Sequence, residues 1–310
     1  MTDTLIGKAA IVTGAGRGIG SGVARLLAAE GAAVVVNDPG VELDGSGGEP
    51  SHAERVVAQI AAAGGRAVAS HDSVTDFEAG EALVRQAVDA FGRLDIVVTC
   101  HGILRDRMIF NMSEQEWDDV ISVHLTGTFN VVRHAARHMR EQRAGRIITF
   151  SSTSGLWGSS GQANYGGAKG GVAGFTRVVA RDLGRYGVTA NAIVPMAATR
   201  MTTSVPPAAR AARAASGIAL GTPEGTTEVE FDPEDVAPFV AYLASDFAAG
   251  VNGQFFLVYG KTVSLMSQPR PERTVTKPGG ERWTVEELAA VFPTSLGMDL
   301  PNPAPARPAE

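Results

Sequence analysis

The chain of 310 residues is 44% hydrophobic and 19% charged, with a net charge of −6 and one cysteine. This balance fits a soluble globular protein of one large domain or two small ones, and a lone cysteine excludes an internal disulfide framework. Net acidity argues against nucleic acid as a partner, since phosphates call for clustered Lys and Arg, and no apolar stretch reaches the roughly 20 residues that span a bilayer.

The opening "MTDTLIGKAAIVTG" enters a strand almost at once and lacks the basic and long apolar regions of a secretory leader, so the expected location is cytoplasmic. Short Val- and Ile-rich runs then alternate with stretches of helical period. Strands are predicted at 8–14, 32–38, 66–70, 94–99, 145–150, 187–195 and 253–258. Their nearly continuous apolar character suits a parallel sheet buried on both faces. Helices are predicted at 18–31, 52–65, 75–92 and 113–142, the first three ending in glycine, as helix C-termini prefer. Repeated alternation of this kind predicts an α/β fold, a Rossmann-type doubly wound parallel sheet. The pattern falters over 200–232, which is rich in Ala, Pro, Gly and Thr, and again past Gly260, where the chain turns polar and Pro-rich. Thr284 and Glu287 have capping-box spacing and predict a short helix in 283–292, while the final "PNPAPARPAE" has the composition of a disordered tail. The organisation expected is one catalytic domain over 1–260, with 195–232 as a mobile substrate loop, and a partly disordered extension over 261–310.

The turn "TGAGRGIG" joins the first strand to the first helix with the spacing Gly14-x-x-x-Gly18-x-Gly20. Glycines there let the backbone approach a pyrophosphate, and the helix N-terminus offers free N–H groups. Alone, the turn would also suit any tight strand-to-helix connection. Asp38, at the end of the second predicted strand, lies near the offset at which a carboxylate meets a ribose 2′-OH and repels a 2′-phosphate. It favours NAD over NADP; Arg17, inside the loop, argues the other way.

"FSSTSGLWGSSGQANYGGAKGG" (150–171) holds Ser152, Tyr165 and Lys169. Tyr165 and Lys169, at i and i+4, share one helix face. An ammonium near a phenol favours the phenolate and makes a general acid/base for an alcohol or carbonyl. A solvated i, i+4 pair is the bland alternative, and the glycine turn with Asp38 weighs against it.

With these features the chain resembles the short-chain dehydrogenase/reductase family over about residues 6 to 260, through Thr13-Gly14-x-x-x-Gly18-x-Gly20, Ser152, Tyr165-x-x-x-Lys169 and "YLASDFAAGVNGQFF" (242–256). The resemblance implies that Tyr165 transfers a proton, Ser152 holds the substrate oxygen, and Lys169 tunes Tyr165 and holds the nicotinamide ribose. It further implies cofactor contacts from Gly14, Arg17, Gly18, Ile19, Gly20 and Asp38, an adenine border at Asp72, Ser73 and Val74, and Val194 and Thr199 near the carboxamide. A homodimer or homotetramer is implied as well. Within the family, "VVVNDPG", "HDSV", "GILRDR", "VHLTGTF", "GQANYGGAK" and "RMT" are similar to the (3R)-hydroxyacyl-CoA dehydrogenase part of peroxisomal multifunctional enzyme type 2. That branch implies oxidation of a fatty or steroid side-chain 3-hydroxyacyl-CoA with NAD. A ketosteroid or other secondary-alcohol dehydrogenase without CoA, and a dinucleotide-sensing protein outside the enzyme class, are the competing readings.

Departures from the family pattern are informative. His124 stands where most members have Asn, and either joins a proton relay or packs a helix; the multifunctional-enzyme branch also has His there. Met196 replaces the Gly expected after Pro195, and "TCHG" (99–102) replaces Asn-Asn-Ala-Gly. Cys100 and His101 are adjacent on a strand and point to opposite faces, so nucleophile and base is excluded for them; shaping the wall near the adenosine ribose, with Gly102, is the expectation. No metal site is expected: His134 and His138 at i, i+4 lack acidic or Cys partners and read as a solvated helix face. Arg105 and Arg107 would either attract CoA phosphates or form surface ion pairs, and Leu156 and Trp157 either wall a substrate pocket or pack a loop.

Overall fold

Strand side chains alternate between two faces, and in this chain both faces are covered. A computed structural model describes residues 4–42, 44–47, 51–196 and 232–300. The strands are β1 (Ala9–Thr13), β2 (Ala33–Asn37), β3 (Arg66–Ser70), β4 (Ile96–Thr99), β5 (Gly145–Phe150), β6 (Val188–Pro195), β7 (Phe255–Tyr259) and β8 (Thr262–Leu265). They form one sheet in the order β3-β2-β1-β4-β5-β6-β7-β8, parallel throughout except for the antiparallel β7–β8 pair. The sheet is thus doubly wound as expected, with its strand order reversing between β1 and β4.

The helices are α1 (Gly18–Ala29), α2 (Ser51–Ala62), α3 (Phe77–Phe91), α4 (Glu114–Ile121), α5 (Gly127–Gln142), α6 (Thr153–Leu156), α7 (Ala163–Gly184), α8 (Ala237–Ala244) and α9 (Val285–Val291). On one face of the sheet Ala10, Val12, Val34, Val36, Ile96, Val98 and Ile148 pack with Val23 and Leu27 of α1, Val56 and Ile60 of α2, and Val240 and Leu243 of α8. On the other, Ile11, Val35, Val97 and Ile147 meet Leu83 of α3, Val131 and Met139 of α5, and Val179 and Leu183 of α7. The period-two split between these clusters explains why the strands read as continuous apolar runs.

Two elements differ from expectation. The helix predicted over 113–142 is interrupted by a π turn at Ser122–Thr126, which turns His124 inward and leaves its carbonyl to accept from the Thr128 hydroxyl (2.7 Å). Strand β8 was not expected; it is short, mostly exposed and joined to β7 across Gly260 at φ +47°, where a side chain would be strained. The predicted C-terminal helix is present as α9, with the Thr284–Glu287 capping box formed. The substrate-loop expectation (195–232) falls almost wholly outside the described residues, and the disordered-tail expectation wholly so.

Candidate active site

The reversal of strand order opens a crevice at the carboxyl ends of β1 and β4, where doubly wound sheets bind ligands. Gly14 and Gly18 have φ of +66° and +54°. A Cβ at Gly14 would lie 2.5 Å from His101 Cα, and one at Gly20 would strike the Gly14 carbonyl, so this turn admits only glycine at both points. No side chain caps the N-terminus of α1 at Arg17, and Ile19 packs inward on the core beside it. Uncapped N–H groups behind a glycine-rich turn fit a pyrophosphate.

Asp38 follows β2 and is buried; its carboxylate accepts from the backbone of Gly16 (2.9 Å) and Gly40 (2.7 Å). Arg17 is engaged by the Val41 carbonyl (2.5 Å) and the Glu42 carboxylate (3.8 Å). After β3, Asp72 accepts from the Ser70 hydroxyl (3.0 Å), Ser73 is exposed, and Val74 is buried beside Gly127 and His101. Cys100 faces the cluster under α1, while His101 turns to the opposite face and shares a proton with Thr13 (Nδ1 to Oγ1, 2.6 Å). Burial pushes the Cys100 thiol up to about 12 and holds His101 down to about 3. The space above Gly102 is filled by the His124 ring. Val194 is fully buried in β6, and Thr199 lies outside the described residues.

Ser152 caps α6 by accepting from Ser154 N (3.1 Å). Tyr165 and Lys169 stand on α7, with Lys169 Nζ 5.8 Å from the Tyr165 ring centre and donating to the Phe150 carbonyl (2.7 Å). Burial lowers Lys169 to about 8. Burial also pushes Tyr165 up to about 12, against the pull of its hydrogen bond with Ser152, and the charges of Asp106 and Cys100 add to the rise. The lowered phenol expected from Lys169 is therefore not what the site shows, because burial, the largest influence on this phenol, disfavours the phenolate. His124 is buried, its ring edge-on to Tyr165 at 5.1 Å, and its Nε2 lies 2.8 Å from the Ile103 carbonyl. Burial keeps it neutral, well below the usual imidazole range.

Other sequence candidates separate from this cluster. His134 is buried and packs tilted against the Phe77 ring, with centres 4.5 Å apart, which corrects the solvated-face reading for it. No group of three metal-ligating side chains occurs among the described residues. Arg105 pairs with Asp119 (3.1 Å) and Arg107 with Glu116 (2.8 Å), so the ion-pair alternative describes both. Trp157 is exposed, whereas Leu156 packs against the buried cluster of Ala173, Ala192 and Phe255. Sequence reasoning missed Asn164, fully buried, whose amide donates to the carbonyls of Arg105 (2.9 Å) and Glu116 (2.8 Å) while its oxygen accepts from Tyr165 N (2.8 Å). The signal was present: a polar residue placed immediately before Tyr165 at a helix start.

A doubly wound sheet with an uncapped glycine turn and a Ser, Tyr and Lys cluster at its carboxyl edge defines a dinucleotide-dependent oxidoreductase. The short chain dehydrogenase family profile matches residues 8–210, and the chain belongs to that family. It is 43% identical to hydroxyacyl-CoA dehydrogenase ChsB1 of Mycobacterium tuberculosis, covering 94% of this chain and 89% of that protein. Mouse peroxisomal multifunctional enzyme type 2 is 42% identical over 91% of this chain, which spans only 36% of it. A short chain dehydrogenase from Mycobacterium avium superposes with a TM-score of 0.80 at 42% identity, covering 99% of this chain and 100% of that one. The family implies a nicotinamide dinucleotide as cofactor and a small molecule as substrate. Among the described residues, no helix is long and apolar enough to cross a membrane.

Proposed function

We propose that the protein oxidises a secondary alcohol to a ketone with NAD, its substrate a 3-hydroxyacyl-CoA carrying a fatty or steroid side chain. The observation that carries the chemistry is the convergence of Ser152, Tyr165 and Lys169 at the carboxyl edge. When bound, the dinucleotide supplies the carbon that accepts hydride. Ser152 holds the substrate hydroxyl, and Tyr165 in its phenolate form, which its raised pKa makes available towards high pH, takes the proton as the carbon–oxygen bond becomes a carbonyl. Lys169, fixed by Phe150, keeps a donor beside Tyr165 and the ribose. The choice of NAD rests on Asp38: two backbone N–H groups hold a buried carboxylate at the end of β2, with lone pairs left for ribose hydroxyls and repulsion for a 2′-phosphate. The acyl-CoA reading rests on the relatives named hydroxyacyl-CoA dehydrogenase and multifunctional enzyme.

The pairing of Arg105 and Arg107 with carboxylates leaves CoA phosphates without those two anchors and favours, as a second reading, a secondary-alcohol or ketosteroid dehydrogenase that needs no thioester. The test is NADH production by wild type and Tyr165→Phe on a (3R)-hydroxyacyl-CoA and on the same chain without CoA. Loss of about 10²-fold or more in Tyr165→Phe is expected, with the thioester preferred. Turnover near wild type in that variant refutes the proton-transfer role.

A further inference from the structure

The segment after β4 is stitched to the first turn of α7, the turn that carries Tyr165. Arg107 N donates to the Gly161 carbonyl (2.8 Å), and Asn164 ties the Arg105 carbonyl to the same turn. Between them, Asp106 accepts from the Gln162 side-chain amide (2.9 Å). Gln162 is the N-cap residue of α7, yet its side chain does not cap the helix. Its oxygen instead accepts from the Ser154 hydroxyl (2.7 Å), and Ser154 N donates to Ser152 Oγ. A continuous polar path therefore runs from the Asp106 carboxylate to the hydroxyl that holds the substrate.

We propose that Asp106 is a positioning residue for the reaction, holding Ser152 and Tyr165 in register through Gln162 and Ser154. This inference rests on the reading of Ser152 and Tyr165 given above. A helix start could be capped more simply by Gln162 itself; turning that side chain away to a carboxylate adds a charged side-chain tie to the two that Asn164 and Ser160 already make between these loops. The same carboxylate adds a negative charge to the surroundings of the phenol, a smaller influence than burial and the Ser152 hydrogen bond. Tyr165 is faced by Lys169 from its own helix, by Cys100 from the end of β4, by neutral His124 from the π turn, by Ser152 from α6 and by Asp106. Among these, Asp106 and Lys169 carry opposite charges, so Asp106 favours the protonated phenol that Lys169 works against. Arg105 and Arg107, which flank Asp106, are matched to Asp119 and Glu116 on α4.

Two variants separate alignment from charge. Asp106→Asn keeps an oxygen for Gln162 and removes the charge, whereas Asp106→Ala removes both. In alcohol oxidation with a (3R)-hydroxyacyl-CoA and NAD, the rising limb of the kcat/KM pH profile in Asp106→Asn should move to lower pH by about half a unit or more, because Tyr165 loses its proton at lower pH once the neighbouring negative charge is gone. Asp106→Ala should lose about tenfold or more in kcat, with NAD affinity by fluorescence titration unchanged. A pH profile in Asp106→Asn that overlays wild type or moves upward refutes the charge role, and wild-type kcat in Asp106→Ala refutes the alignment role. Tyr165→Phe assayed alongside distinguishes the failures: activity retained there overturns the underlying mechanism, whereas an inactive Tyr165→Phe with unmoved Asp106 variants overturns this inference alone.

Discussion

The proposed choice of NAD rests on one side chain, that of Asp38. Each of its oxygens already accepts a backbone N–H, from Gly16 and from Gly40, so its position is fixed before any ligand arrives. Arg17, the residue that would welcome a 2′-phosphate, is drawn to Val41 and Glu42. Asp38→Ala should therefore lower the preference for NAD over NADP by about tenfold or more, read as the ratio of kcat/KM values; a ratio equal to wild type would show that the carboxylate does not read the ribose. Asp38, Ser152, Tyr165 and Lys169 could be put forward from the sequence because each sits in a short local string whose spacing carries its own chemistry. The partners that hold such residues were not. Thr13 meets His101 across 88 residues and Gln162 meets Asp106 across 56, and no local pattern encodes contacts of that range. The pKa of Tyr165 was misjudged for the same reason: proximity of Lys169 is local, whereas burial is a property of the assembled site.

At the scale of elements, strands were the most legible, since burial on both faces leaves unbroken apolar runs. The β8 strand was lost because an exposed edge strand needs no such run, and the π turn was lost because it leaves the apolar period of α4 and α5 nearly intact. Helix α7 poses a different question, for it carries Gly166, Gly167, Gly170, Gly171 and Gly174, each costing about 1 kcal/mol of helix propensity against alanine. Most have a steric reason. A Cβ at Gly170 would lie 3.0 Å from the Gly155 carbonyl and one at Gly171 2.9 Å from Leu125, so these glycines let α6 and the π turn close on the catalytic helix. Gly174 has nothing within 4 Å and lacks that reason. Gly174→Ala should raise the melting temperature by about 2–4 °C, while Gly155→Ala, whose Cβ would lie 2.6 Å from the Gly170 backbone nitrogen, should lower it. A fall in Tm for Gly174→Ala would reveal a neighbour on that face, such as a second copy of the chain.

The molecule as a whole stores its neutral histidines where the two cores meet the site. His101 bridges the glycine turn to the face packed by α5, and His124 lies in the π turn against Tyr165. In the folded chain burial keeps His101 unprotonated down to about pH 3 and His124 far below its ordinary value. Once unfolded, both take a proton near pH 6.5. Below that pH the unfolded state binds more protons than the native one, so stability rises with pH across this window and drains away as pH falls through it. Each histidine contributes a slope of up to about 1.4 kcal/mol per pH unit. Urea unfolding followed from about pH 7.5 down to about pH 5 should show a steep loss of stability that starts below about pH 6.5. His101→Ala should flatten that loss by about one proton's worth and leave the His124 share in place. If the slope of His101→Ala matches wild type, the imidazole takes up its proton in the folded chain, and the core at the end of β4 is more open to water than its burial indicates.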